Sequence, residues 1–249
     1  MTSAPNEEPF YHVLAGVYDV LFPVTEQQRR FFAGLVEEHS VRRVLDVACG
    51  TGEQAAMFRE LGVEVSALEN DERMLEAVRA KGLGIDARLG SMEHVATRFE
   101  PGFDMAICIG NSLPHLPSLA AVRRTLGGMR SLLRPGGVLV VSVVNFDWVA
   151  RKHVTALPRK AVRHADGRPI TFERFYDLSG LPDRVTFSTK LTIGDEAQTA
   201  QVPLTPISPD WLTGAVPELG MDVIGRYAGF DRSAFTDQSP SLILVAETS

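Results

Sequence analysis

Between residues 41 and 145 the hydrophobic positions of this chain switch repeatedly between two periods. "RRVLDVA", "VEVSALE", "FDMAICI" and "PGGVLVVSVV" hold short, nearly continuous apolar runs of strand length. "IDARLG" reads as one more short strand. "EQAAMFREL", "DERMLEAVRAK" and "LAAVRRTLGGMRSLL" lie between them and space their apolar residues by three and four, as amphipathic helices do. Strand and helix in regular alternation predict a parallel sheet covered by helices on both faces.

The flanks differ from this core. "FYHVLAGVYDVLF" (10–22) has helical spacing and stops at Pro23. Thr25 followed by Gln28 has the form of a capping box, after which Phe31, Phe32, Leu35 and Val36 line one face of a second helix. Beyond residue 150 the rhythm breaks. "RPITFERFYDL", "RVTFSTKLTI" and "QTAQVPLTPI" read as antiparallel strands, with turn signals at "ADGR" and "GDE". "SPDWLTGAVPELG" predicts a helix with Ser208 as N-cap and Pro209 at its first position. Two strands, "MDVIGRYAGF" and "PSLILVAET", close the chain. The pattern divides into a tail with cap helices (1–40), an α/β core (41–149), a β-rich insertion (150–207) and the end of the core (208–249). There is no internal repeat.

Composition narrows the function. A formal net charge of −6 without a long basic run argues against gripping nucleic acid through its phosphates. The opening "MTSAPNEEP" is polar and acidic and predicts no signal peptide, and no apolar run approaches the ~20 residues of a membrane helix. With only Cys49 and Cys108, no disulfide scaffold is expected. A cytoplasmic protein with no membrane partner is the expectation.

Chemistry gathers at the ends of strands, where open α/β sheets bind ligands. In "DVACGTGEQ", Gly50 and Gly52 let backbone approach a ligand, and the next helix offers free N–H groups. Glu69 ends the second strand 19 residues after Gly50, where a carboxylate can accept from both hydroxyls of a ribose. Together these describe a site for a nucleoside-bearing cofactor. "GTGEQA" also fits the loose dinucleotide pattern, which keeps a dinucleotide-dependent oxidoreductase open. The strand "FDMAICI" ends in "GNSLPHLP": a flexible glycine, an amide, a hydroxyl and an imidazole held by Pro114 and Pro117.

As a set, "VLDVACGTG", "LLRPGGVLVVSV" and the closing strands resemble class I S-adenosylmethionine-dependent methyltransferases. The resemblance covers roughly residues 41–145 and 208–249. It implies a Rossmann-like, doubly wound, mostly parallel seven-stranded sheet with an antiparallel final strand, carrying cap helices and the antiparallel β insertion. "ICIGNSLPHLP" and "VVNFD" are similar to small-molecule N-methyltransferases of the glycine/sarcosine type, and "FYHVLAGVYDVLF" to the cap helix of amino-sugar N-methyltransferases. By that resemblance S-adenosylmethionine is the cofactor. Ala48, Gly50 and Gly52 would cradle its amino-acid part, and Glu69 would hold the ribose. Asn70, Arg73 and Met74 would lie near the adenosine, Ser91 and Met92 would flank adenine, and Ile109 and Gly110 would face the methionine part. Asn111 and His115 would stand beside the transferred methyl, with Tyr11 and Tyr18 closing over the cofactor or facing a cationic amine. One position departs: Val144 stands where the glycine-type enzymes carry a carboxylate-binding arginine.

The expected activity is therefore methyl transfer to a small-molecule acceptor at an amine nitrogen. O-methylation of a metabolite, the oxidoreductase, and a non-catalytic cofactor-binding domain are the alternatives. For His115 the plainer role is ordering its loop or touching the cofactor's carboxylate; for the tyrosines it is core packing. The Arg and Lys residues of "ARKHVTALPRKAVRH" could bind an acidic substrate, against the plainer reading of a solvated face. The remaining histidines show no metal spacing. The insertion is expected to cover the acceptor pocket or to form a subunit contact in a homodimer.

Overall fold

The computed structural model describes residues 13–249. Residues 13–15 are helical, and a turn at Gly16 and Val17 separates them from the short helix α1 (Tyr18–Leu21). The single helix expected from residue 10 is thus interrupted within its described part. Helix α2 (Glu26–Glu38) starts with the expected capping box: Thr25 Oγ1 accepts from the Gln28 N–H, and the Gln28 side chain accepts from the Thr25 N–H.

The α/β core then runs β1 (Arg43–Val47), α3 (Glu53–Glu60), β2 (Glu64–Glu69), α4 (Glu72–Ala80), β3 (Asp86–Leu89), β4 (Phe103–Cys108), α5 (Leu119–Leu132) and β5 (Leu133–Val144). Helix α6 (Phe146–Lys152) follows, capped by Asn145, whose side chain accepts from the Trp148 N–H. Next come four strands, β6 (Ala156–Arg163), β7 (Pro169–Asp177), β8 (Val185–Ile193) and β9 (Glu196–Leu204). Helix α7 (Pro209–Ala215) has Ser208 as its N-cap and gives way to a 3-10 turn at Pro217, which has no N–H to continue an α-helical ladder. Strands β10 (Met221–Tyr227) and β11 (Ser241–Thr248) complete the chain.

Seven strands form one sheet in the order β10-β11-β5-β4-β1-β2-β3. The pairs from β5 to β3 are parallel, and β11 runs antiparallel to both its neighbours. Alternation of side chains explains the two-sided core. Leu45, Val47, Leu139 and Val141 pack with α5 and α7 on one face, while Val44, Val138 and Val140 pack with Phe31, Phe32 and Phe58 on the other. This is the expected doubly wound architecture.

The second sheet, β6-β7-β8-β9, is wholly antiparallel and separate from the first. Its inner row, which includes Ile170, Phe172, Leu191 and Ala200, packs on Leu14, Val17 and Leu21 of the N-terminal segment. Strand β6 and helix α6 were not among the predicted elements. The half-polar "ALPRKAVR" conceals strand alternation because a bulge lies between Leu157 and Lys160.

Candidate active site

The turn after β1 is held open by backbone conformation. Ala48, Gly50 and Gly52 all have positive φ (60°, 57° and 81°), and the Ala48 and Cys49 N–H groups donate to the Leu68 carbonyl across the sheet. Gly50 donates to Glu69 Oε2 at 2.8 Å, while Oε1 accepts from the N–H groups of Asn70 (2.8 Å) and Asp71 (3.1 Å). Glu69 therefore does two things: it closes the glycine turn onto the end of β2, and it keeps lone pairs for a further donor. Burial raises its pKa against the lowering effect of these bonds. Asp46, on β1 below the turn, is buried, and its Oδ2 has no hydrogen-bond partner. Burial, reinforced by the charge of Glu69, pushes its pKa to about 7.

A cavity of about 420 Å³ opens from this turn. Its floor is Asp46, Ala48, Cys49 and Gly50, and one side is Ile109, Gly110, Ser112 and His115. The far wall is the inner face of the antiparallel sheet, with Lys160, Phe172, Arg174, Phe187 and Thr189. Tyr18 and Phe22 bridge the two ends. A Cβ at Gly50 would lie 3.6 Å from the Tyr18 ring, Tyr18 packs on Phe22 at 4.8 Å, and Phe22 meets Phe172 edge-on at 5.7 Å. A polar latch holds this cover down. Asp19 of α1 accepts from Thr51 Oγ1 and, at 2.5 Å, from Lys81, which also donates to Glu53 at 2.7 Å.

The "GNSLPHLP" loop is anchored on both sides. Asn111, at φ 66°, accepts through Oδ1 from the Val144 N–H at 2.8 Å, coupling the ends of β4 and β5. From the insertion, Thr205 donates its N–H to the Pro114 carbonyl and its Oγ1 to the Leu116 carbonyl, and Arg184 reaches both Thr205 Oγ1 and the Pro117 carbonyl. His115 ends a 3-10 turn (Leu113–His115) and faces the cavity; the protein packed around it lowers its pKa, so the imidazole is neutral at pH 7.

Of the residues singled out in the sequence, Tyr18, Ala48, Gly50, Ile109, Gly110 and His115 line this cavity. Glu69 supports it from behind. Gly52 instead faces α4, where an added Cβ would lie 3.0 Å from Val78 Cγ2. Met74 packs with Leu14, Val17 and Leu21. Asn70 is exposed, Ser91 caps the 3-10 turn Met92–Thr97, Met92 packs on the core, and Tyr11 lies outside the described residues. Among the cavity residues not foreseen are Phe172, Arg174, Phe187 and Thr189. Every second residue of β7 and β8 was the signal that could have found them.

Residues 44–137 match the family model described as a methyltransferase domain, which runs from β1 through the glycine turn to the Gly136–Gly137 turn in β5. Over that stretch the chain is similar to methyltransferases. It is 33% identical over 140 residues to glycine N-methyltransferase of Rattus norvegicus, covering 50% of this chain and 48% of that protein. The chain spans about half the length of the glycine N-methyltransferases it matches. It is 25% identical over 234 residues to glycine/sarcosine N-methyltransferase of Aphanothece halophytica, covering 90% and 82%. The CcbJ methyltransferase structure from Streptomyces caelestis shares the fold with a TM-score of 0.77 at 22% identity, over 95% of this chain and 96% of that one.

The site fits the cofactor of this class on three structural grounds. The Asp46 oxygen is buried without a partner, the Glu69 carboxylate retains acceptor capacity, and an added Cβ at Gly110 (φ 79°) would stand in open space. No helix among the described residues is long and apolar enough to cross a membrane.

Proposed function

We propose that the chain transfers a methyl group from S-adenosylmethionine to an amine nitrogen of a small molecule. The observation that carries this is the single cavity joining the glycine turn to the inner face of the antiparallel sheet, with a neutral imidazole between them. When bound, S-adenosylmethionine supplies an electrophilic methyl group. Asp46 and the N–H groups around Ala48 and Gly50 would hold its amino-acid part, and Glu69 its ribose. The β4 end, at Ile109 and Gly110, would flank the reacting centre.

The chain's own work is orientation, exclusion of water and proton handling. His115 is neutral, so one ring nitrogen can accept the proton that an amine gives up. Tyr18 closes the cavity over Gly50, with its ring and hydroxyl beside the glycine turn. Asn111 commits its oxygen to Val144, so it acts through the geometry of the loop and its remaining NH₂ group. The antiparallel sheet serves as the lid of the acceptor chamber. The likeness to N-methyltransferases favours nitrogen over oxygen as the acceptor atom.

Calorimetric titration tests this reading. S-adenosylmethionine should bind and a nicotinamide dinucleotide should not, and amines should be consumed with release of S-adenosylhomocysteine. Binding of the dinucleotide alone would overturn it in favour of an oxidoreductase.

A further inference from the structure

The inner row of the antiparallel sheet should be apolar, because it is buried against the N-terminal segment and the cavity. On β7 that row is Ile170, Phe172, Arg174 and Tyr176; on β8 it is Val185, Phe187, Thr189 and Leu191. Arg174 is a cation in this row. A second cation is brought there by a backbone irregularity. Leu157 of β6 points inward, and strict alternation would place Lys160 outward. The bulge between them reverses the sense, so Lys160 and Val162 face in while Ala161 and Arg163 face out. Lys160 pairs in register with Phe172, and Leu157 with Arg174.

Both cations line the cavity and both address the same ring: Lys160 Nζ lies 4.3 Å and Arg174 Cζ 5.9 Å from the Phe22 centroid. Lys160 donates to the Leu21 carbonyl at 2.6 Å, and Arg174 Nη2 to the Pro158 carbonyl at 3.0 Å. Arg174 Nε is buried without a hydrogen-bond partner. Neither cation forms an ion pair among the described residues, although fifteen ion pairs occur elsewhere in them. Asp46, on the floor at the cofactor end, is the only carboxylate among the described residues lining the cavity. Burial lowers the pKa of each cation, and Arg174 lowers that of Lys160 further. Two partly desolvated like charges without a counter-charge are costly unless something anionic joins them.

We propose that Arg174 and Lys160 form an oxyanion subsite, and that the methyl acceptor carries a carboxylate or phosphate group seated there. This rests on the methyltransferase reading of the cavity and adds the acceptor's chemical class. The planar Arg174 guanidinium offers Nε and an Nη to two oxygens at once, and the Lys160 ammonium has donors left beyond Leu21.

The test uses inorganic phosphate and succinate as probes, titrated by calorimetry into the full chain with and without saturating S-adenosylmethionine. At least one dianion should bind, and whichever binds more tightly identifies the class. Arg174→Gln and Lys160→Gln should each weaken it by about tenfold or more, and Arg174→Lys should restore part of the loss. Arg163→Gln, which removes an outward-facing cation from the same strand, should leave binding unchanged. No binding of either probe, or equal weakening by Arg163→Gln, overturns the subsite. S-adenosylmethionine affinity is read in the same titrations. Its absence would sink the methyltransferase reading, while dianion binding to the free chain would still report on the subsite.

Discussion

At the scale of single residues the site depends on two buried carboxylates with different work. Glu69 accepts from three backbone N–H groups, so Glu69→Ala removes the proposed ribose contact and also leaves the glycine turn unpinned. S-adenosylmethionine binding should weaken by at least about 1.5–3 kcal/mol, the range for a hydrogen bond to a charged group. Unchanged affinity in the folded variant would remove Glu69 from the site. Asp46 gives a pH signature. Its folded-state pKa is raised to about 7, so the folded protein holds a proton that the unfolded chain releases near pH 4. The stability this provides is complete below the unfolded pKa and is lost as pH rises through 7. Asp46→Asn should therefore gain stability relative to the parent as pH rises from 5 to 8, by about 3 kcal/mol at roughly 1.4 kcal/mol per unit. Urea midpoints of the two ligand-free proteins at each pH measure this, and a constant difference would contradict it. His115 has the opposite displacement. Its side chain is exposed at the cavity mouth, yet desolvation by the protein packed around it lowers its pKa, so if it accepts the acceptor's proton the acid limb of kcat falls below the ordinary histidine range, and His115→Ala abolishes that limb.

At the scale of elements, the loop from Gly110 to Pro117 owes its position to the segment that leaves β9. Thr205 is buried and holds the carbonyls of Pro114 and Leu116. Thr205→Val keeps the shape and removes the hydroxyl, leaving the Leu116 carbonyl without that donor. It should cost about 1–3 kcal/mol of stability and lower turnover more than cofactor affinity, as denaturation and steady-state kinetics would show. Equal kinetics would mean the loop stands without this clamp. None of this was legible in the sequence, because hydrogen bonds between residues about 90 positions apart leave no local pattern. What was legible had local causes. The capping box at Thr25, the glycine turn, and the N-caps at Ser208 and Asp71 are short-range chemistry, although only the first two and Ser208 were singled out. The β6 strand was hidden because its bulge breaks the two-residue period on which strand recognition depends.

At the scale of the whole molecule, the seven-stranded sheet could be read from alternation, since each buried strand and amphipathic helix declares its period separately. The cavity could not, because its walls come from elements distant in the chain: the N-terminal segment, the ends of β1 and β4, and the antiparallel sheet. Foreseen residues meet there, Lys160 of the basic run among them, and the sheet adds Phe172, Arg174, Phe187 and Thr189, which no motif announced. A second hollow of about 330 Å³, beside Phe31 and Phe230, is of another kind: its Arg232 is already engaged by Glu38 in two hydrogen bonds. Helix α1 and the core are joined by the Asp19–Lys81–Glu53 cluster, and Asp19→Asn should speed dissociation of S-adenosylmethionine while changing stability by less than about 1 kcal/mol, since Asp19 is partly exposed. The central claim is transfer of a methyl group to nitrogen within this one cavity, and the most direct measurement is mass spectrometry of amine acceptors, chosen with and without an oxyanion, after incubation with the protein and S-adenosylmethionine. The account predicts an acceptor methylated at nitrogen, formed one for one with S-adenosylhomocysteine and lost in His115→Ala at saturating cofactor. Methylation at oxygen, or tight cofactor binding with no methylated acceptor across the whole panel, would contradict it.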